Sequence, residues 1–260
     1  MSDTALPFES YGVSHRGCVR LLNEDSFLME PRSGLWLVAD GMGGHEAGEV
    51  ASSTIVEHLA TIGIASSAPE LLARFEDRLG RAHEQIRDIA RARGVTIGST
   101  VAALLAINGS FACFWSGDSR VYLVRDGTIS QISRDHTEVQ ELLDKGVISP
   151  SEARSWPRRN VITRAVGVSE EIVVDFHQGQ TLPGDVFVLS TDGLTAHVED
   201  AEILEAVAAY PPQTACEKLL DTVLGRGGTD NVTIVLVRIR GELQSDFADR
   251  TAAPAERVRP

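Results

Sequence analysis

Leu35-Trp36-Leu37-Val38-Ala39-Asp40-Gly41-Met42-Gly43-Gly44-His45 decides how the rest of this chain is read. An unbroken apolar run ends abruptly in an aspartate, and a glycine-rich turn follows. Such a run predicts a strand covered on both faces. Its last residue then falls at the rim of a sheet, where sites form. Val186-Phe187-Val188-Leu189-Ser190-Thr191-Asp192-Gly193 repeats the design, and Asp230-Asn231 inverts it by leading into Val232-Thr233-Ile234-Val235-Leu236-Val237. Any one of these aspartates could simply make a turn. Three at the ends of strongly apolar strands point instead to a shared acidic site. Clustered carboxylates repel unless protons or cations neutralise them, and Mg²⁺ or Mn²⁺ suits such oxygen ligands. Two ions sharing a carboxylate sit about 3.5–4 Å apart and turn a water between them into a nucleophile near neutral pH.

The bulk properties narrow the function. The chain has 260 residues, enough for one large domain, and 43% hydrophobic residues, ordinary for a globular protein. Its net charge of −13 argues against a nucleic-acid partner, and an anionic substrate would need metals or an arginine. Cys18, Cys113 and Cys216 are far apart and form no CxxC, which predicts unpaired thiols in a reducing, cytoplasmic compartment. Met1 to Ser10 lacks the pattern of a signal peptide, and no apolar run is long enough for a bilayer, so no membrane partner is expected.

Around the opening stretch, the pattern predicts strands at Phe8–Gly17, Phe27–Met29 and Leu35–Ala39, then helices at Glu46–Ile62 and Pro69–Ala92. The second helix carries an apolar stripe of Leu72, Phe75, Leu79, Ala82, Ile86 and Ile89, with Gly94 as its stop. Ser99–Ile107, Phe111–Ser116, Arg120–Arg125 and Thr128–Ile132 follow as one antiparallel meander, split by Asn108-Gly109, Gly117-Asp118 and Asp126-Gly127. Thr137–Pro157 reads as a helical excursion, Val161–Ala165, Ile172–Phe176 and Asp185–Ser190 as strands, Ile203–Ala208 and Thr214–Leu224 as helices, and Val232–Ile239 as the last strand. Residues 242–260 read as a loose tail after a domain spanning 1–241. Clustered strands and paired helices favour an α+β fold.

Four smaller motifs carry competing readings. Arg20-x-x-Asn23-Glu24-Asp25 is either a solvated turn or an anion clamp, since arginine's planar fork suits a phosphate dianion. Gly117-Asp118-Ser119-Arg120 is a hairpin turn, a metal aspartate or a serine-hydrolase motif, the last disfavoured because no strand-to-helix elbow is expected there. His45-Glu46-Ala47-Gly48-Glu49 lacks the second histidine of a zincin helix, and Gly41-Met42-Gly43-Gly44 matches no nucleotide-binding loop.

Together these segments resemble the metal-dependent protein phosphatase family, the type 2C serine/threonine phosphatases, in its bacterial form. Gly17-x-x-Arg20-x-x-Asn23-Glu24-Asp25, Val38 to His45, Gly98-Ser99-Thr100, Gly117 to Arg120, Arg134-Asp135-His136, Ile162 to Gly167, Ser190 to Leu194 and Asp230 to Thr233 stand in family order. The resemblance implies a four-layer α-β-β-α sandwich of two antiparallel sheets with a small flap subdomain at about 137–175. It implies hydrolysis of phosphoserine and phosphothreonine in phosphoproteins by a metal-activated water. Two Mn²⁺ or Mg²⁺ ions would be bridged by Asp40, with the Gly41 carbonyl on one and Asp192 and Asp230 on the other. Asp118 would hold a third ion with Asp192, Glu24 and Asp25 would hold metal-bound waters, and Arg20 would bind the phosphate. Animal members place a histidine, the proposed general acid, directly after the Asp-Gly pair. Met42 stands there in this chain, leaving metal-bound water at the third site or His45 as proton donor. A phosphorylated protein is the implied partner, with an opposing Ser/Thr kinase. The rival functions are a catalytically silent phosphoprotein-binding module and a small-molecule phosphohydrolase.

Overall fold

The computed structural model describes residues 7–43, 47–158 and 160–241. His45 and the start of the Glu46–Ile62 helix, like the tail at 242–260, lie outside the described residues. Two antiparallel sheets stack face to face. One has the order β1 (Phe8–His15), β11 (Val232–Ile239), β10 (Val186–Ser190), β7 (Arg120–Arg125), β8 (Thr128–Gln131). The other runs β2 (Asp25–Glu30), β3 (Leu35–Gly43), β5 (Val101–Ile107), β6 (Ser110–Ser116), β9 (Asp175–Gln180), with β4 (Ile97–Ser99) added to the end of β3. Helices α1 (Ala47–Leu59) and α2 (Ala68–Arg93) cover the second sheet, and α5 (Asp192–Thr195), α6 (Asp200–Ala209) and α7 (Pro212–Gly225) the first. Short helices α3 (Glu138–Asp144) and α4 (Pro150–Arg154) lie between β8 and β9.

The apolar runs now have their reason. Along β3, Leu35, Leu37 and Ala39 face the α1–α2 layer, while Trp36 and Val38 face the other sheet. Along β10, Phe187 and Leu189 enter the inter-sheet core while Val186 and Val188 meet α6 and α7. Central strands of a four-layer sandwich bury both faces, so alternation between apolar and polar disappears. In α2, Ser67 caps the first turn by accepting from the Glu70 N–H, and Gly94 ends the helix at φ +66°.

Four local expectations need correction. The predicted meander is split: β5 and β6 belong to one sheet, β7 and β8 to the other. Asn108-Gly109 and Asp126-Gly127 do close tight hairpins, all four residues at positive φ. Gly117-Asp118, however, carries the chain across between sheets, and local turn chemistry is the same for both destinations. The predicted Ser99–Ile107 strand is broken at Thr100 into β4 and β5. Val161–Ala165 is no strand; Ile162 makes only an isolated bridge to Thr137, next to Val166 on Ser99. The strand predicted at Ile172–Phe176 begins at Asp175 and runs to Gln180, because the edge of β6 supplies backbone partners only there.

Candidate metal centre

The site grows from a fault in the sheet. As far as Val38, β3 pairs with β5; from Gly41 it pairs with β4. Asp40 stands between the two ladders. Its N–H donates to Thr100 Oγ1 (3.0 Å), and its carbonyl accepts from the Thr100 N–H (2.8 Å) and Ser99 Oγ (2.9 Å). On its other side Asp40 lies directly opposite Asp25, the first residue of β2. The second sheet contributes Asp192, opening α5 at the end of β10, and Asp230, just before β11. Asp118 comes from the crossing between sheets. All five carboxylates thus stand at one end of the sandwich.

Their electrostatics follow from that crowding. Burial, then repulsion from Asp25, Asp192, Asp118 and Asp230, holds the Asp40 carboxyl well above the ordinary carboxylate range. Burial and the Asp192 charge push Asp118 up to about 8. Burial pushes Asp25 to about 7 against the lowering effect of its hydrogen bonds. Asp192 rises to about 6, through burial and the Asp230 charge. Among the described residues no group of three acidic, histidine or cysteine side chains is yet gathered closely enough to hold one ion. The carboxylates ring the rim as mutually repelling neighbours, not as a closed cage. The donor set nonetheless fits a hard divalent cation: every candidate ligand is an oxygen, and Asp25 Oδ1 is buried with no hydrogen-bond partner.

Asp25 and Glu24 both bind protein groups around the site. Asp25 is buried at 7% exposure, and its Oδ2 accepts from the hydroxyls of Thr191 and Thr233, both at 2.8 Å. These two threonines belong to the opposite sheet, so Asp25 stitches the layers together at the site. Glu24 Oε1 accepts from the Gly48 N–H in the first turn of α1 (3.2 Å). The Gly41 peptide is packed against the same turn; a Cβ on Gly41 would lie 2.0 Å from the Gly48 carbonyl oxygen.

Arg20 and Asp230 are brought into contact, Nη2 to Oδ2 at 2.7 Å, with the arginine half exposed. Hydrogen bonding to Asp230 raises the guanidinium pKa further, so its charge is permanent. The strap Arg134-Asp135-His136 serves Asp118. His136 N–H donates to the Gly117 carbonyl (2.9 Å), and Gly117 N–H donates to His136 Nδ1 (3.2 Å), fixing the peptide before Asp118. Asp135 receives both arms of Arg120. Ser119 Oγ is buried and shares a 2.6 Å hydrogen bond with Thr100 Oγ1, so Ser119 is not an exposed hydrolase nucleophile. Thr100, Thr191, Thr233 and Asn231 sit inside the motifs quoted above without a role that spacing could assign. Thr191 and Asn231 had the one signal of adjoining an acidic strand end, Asp192 and Asp230.

This rim, built where two sheets end and lined by carboxylates and one arginine, matches known proteins over most of the chain. A profile of the protein phosphatase 2C family covers residues 11–226, and the chain belongs to that family. The serine/threonine protein phosphatase PstP of Mycobacterium tuberculosis is 37% identical over 228 residues, covering 87% of this chain and 44% of that protein. The chain therefore spans less than half the length of that relative. The structure of PppA, a key regulatory component of T6SS in Pseudomonas aeruginosa, superposes with a TM-score of 0.82 at 42% identity, covering 89% of this chain and 97% of that one. The catalytic domain of PstP in complex with two manganese ions superposes with a TM-score of 0.82 at 34% identity, covering 90% and 99%. No helix among the described residues is long and apolar enough to cross a membrane.

Proposed function

We propose that this chain hydrolyses phosphoserine and phosphothreonine in phosphoproteins, using Mn²⁺ or Mg²⁺. The observation that carries the reading is the meeting of five aspartates from both sheets with one arginine at a single rim. The relation to PstP, whose catalytic domain holds two manganese ions, supports it. Asp40, the Gly41 carbonyl, Asp192 and Asp230 would hold two cations, Asp118 with Asp192 a third, and Asp25 offers its free Oδ1 beside them. Bound there, the cations supply charge neutralisation and lower the pKa of a coordinated water.

The chain's own residues do the remaining work. Arg20 carries five N–H donors and can keep its bond to Asp230 while presenting others to a phosphoryl group. Held in that way, the phosphorus is presented in a fixed orientation. Thr191 and Thr233 keep Asp25 facing Asp40, and His136 keeps the Asp118 turn in place. We take residues 1–241 as one phosphatase domain and 137–175, with α3 and α4, as a flap beside the site. A cytoplasmic setting agrees with three unpaired cysteines, two of them buried. An opposing Ser/Thr kinase is the matching partner. The test is phosphate release from a phosphothreonine peptide under Mn²⁺ titration: full activity retained by Asp192→Ala overturns the reading. Peptide binding without turnover at saturating Mn²⁺ would favour a silent binding module, and faster turnover of sugar phosphates a small-molecule enzyme.

A further inference from the structure

The phosphate group is the same in every substrate, so contacts to it position but do not discriminate; selectivity has to come from side chains around it. The loop that presents Arg20 is built to supply them. Its base is fastened at several points. Asn231 Nδ2 donates to the carbonyls of Arg16 (3.0 Å) and Leu22 (2.9 Å), and Asn231 Oδ1 accepts from the Glu24 N–H (2.8 Å). Cys18 N–H donates to the Gly228 carbonyl at 2.8 Å. Gly17, at φ +76°, lies so close to Asp230 that a Cβ would meet its carbonyl oxygen at 2.1 Å. Between these anchors the tip carries Val19 at 64% exposure and Leu21 at 87%, one on each side of Arg20. Leu21 is the most exposed large apolar side chain among the described residues. Single apolar residues scattered on a surface need no explanation. Two that flank the arginine of the site, on a loop tied to a site aspartate, are continuous with that site.

We propose that Val19 and Leu21 form an apolar rim that selects phosphoprotein segments with an apolar residue next to the phosphorylated Ser or Thr. The proposal rests on the phosphoprotein reading above. A segment whose phosphate is held by Arg20 lies over the tip of this loop, so residues near the phosphoresidue come within reach of the exposed Val19 and Leu21. Because the loop base is already fixed, little ordering cost opposes that contact. Covering side chains that otherwise face water then favours apolar flanks over charged ones.

The experiment compares kcat/KM on three phosphothreonine peptides differing only in the residues beside the phosphothreonine: Leu, Ser or Asp. Wild type is expected to prefer the Leu-flanked peptide about tenfold over the Asp-flanked one, which equals about 1.4 kcal/mol. Val19→Ser with Leu21→Ser should bring that ratio toward one. Leu21→Lys should shift it toward the Asp-flanked peptide, a gain that misfolding cannot produce. An unchanged ratio in both variants, or an equal loss on all three peptides, overturns the proposal. Hydrolysis of an aryl phosphate with no turnover of any phosphopeptide overturns the phosphoprotein reading instead, and the rim falls with it.

Discussion

Replacing Asn231 by Ala is expected to loosen the Arg20 loop and cost the fold a measurable share of its stability. The side chain is 6% exposed and makes three hydrogen bonds of 2.8–3.0 Å to backbone groups of Arg16, Leu22 and Glu24. Each such bond contributes about 1 kcal/mol net, so the loss is about 3 kcal/mol. With a urea m-value near 3 kcal/mol/M, the unfolding midpoint falls by about 1 M at unchanged slope. Asn231→Asp separates hydrogen bonding from volume. It keeps the acceptor for the Glu24 N–H but sets an anionic oxygen against two carbonyl oxygens. Its midpoint should fall at least as far as that of the alanine variant. Both variants should raise KM for a phosphothreonine peptide, because Arg20 loses its fixed starting position. A midpoint shift under about 0.3 M in both, with KM unmoved, refutes the claim that this side chain fastens the loop.

Mn²⁺ at a hundred times its Kd should stabilise the wild type by about 2.7 kcal/mol in a thermal or urea titration. Asp40→Asn, which removes one of the mutually repelling carboxylates, should unfold at a higher temperature than wild type without metal and show little gain with it. A full Mn²⁺ gain in that variant would exclude Asp40 as a ligand. Gly193→Ala would put a Cβ 1.9 Å from the Asn231 carbonyl oxygen, backbone against backbone. It should destabilise by roughly 3 kcal/mol, checked by urea unfolding. His83 is buried under the segment that carries Gly167, whose N–H donates to His83 Nδ1 at 2.9 Å, and burial holds its pKa below the ordinary 6.5. The unfolded chain then binds the proton first, so this contribution is full above pH 6.5 and is lost as the pH falls through the folded value. His83→Asn should flatten the fall in stability between about pH 7 and 5; an unchanged slope would show that other groups cause it.

The sequence by itself determined the buried strands, the α2 helix and the acidic ends at Asp40, Asp192 and Asp230. Those features are written in local periodicity: a run apolar at every position predicts burial on both faces, whichever layers do the covering. Asn108-Gly109 and Asp126-Gly127 likewise fix their hairpins through positive φ at adjacent residues. Only the tertiary structure decided that Gly117-Asp118 crosses between sheets and that the strand expected at Ser99–Ile107 breaks at Thr100 beside Asp40. The same holds for the buried link from Asp25 to Thr191 and Thr233, 166 and 208 positions away. Register between distant strands is set by backbone pairing and by which faces can be buried together. A short polar segment carries no trace of the partner it will meet there.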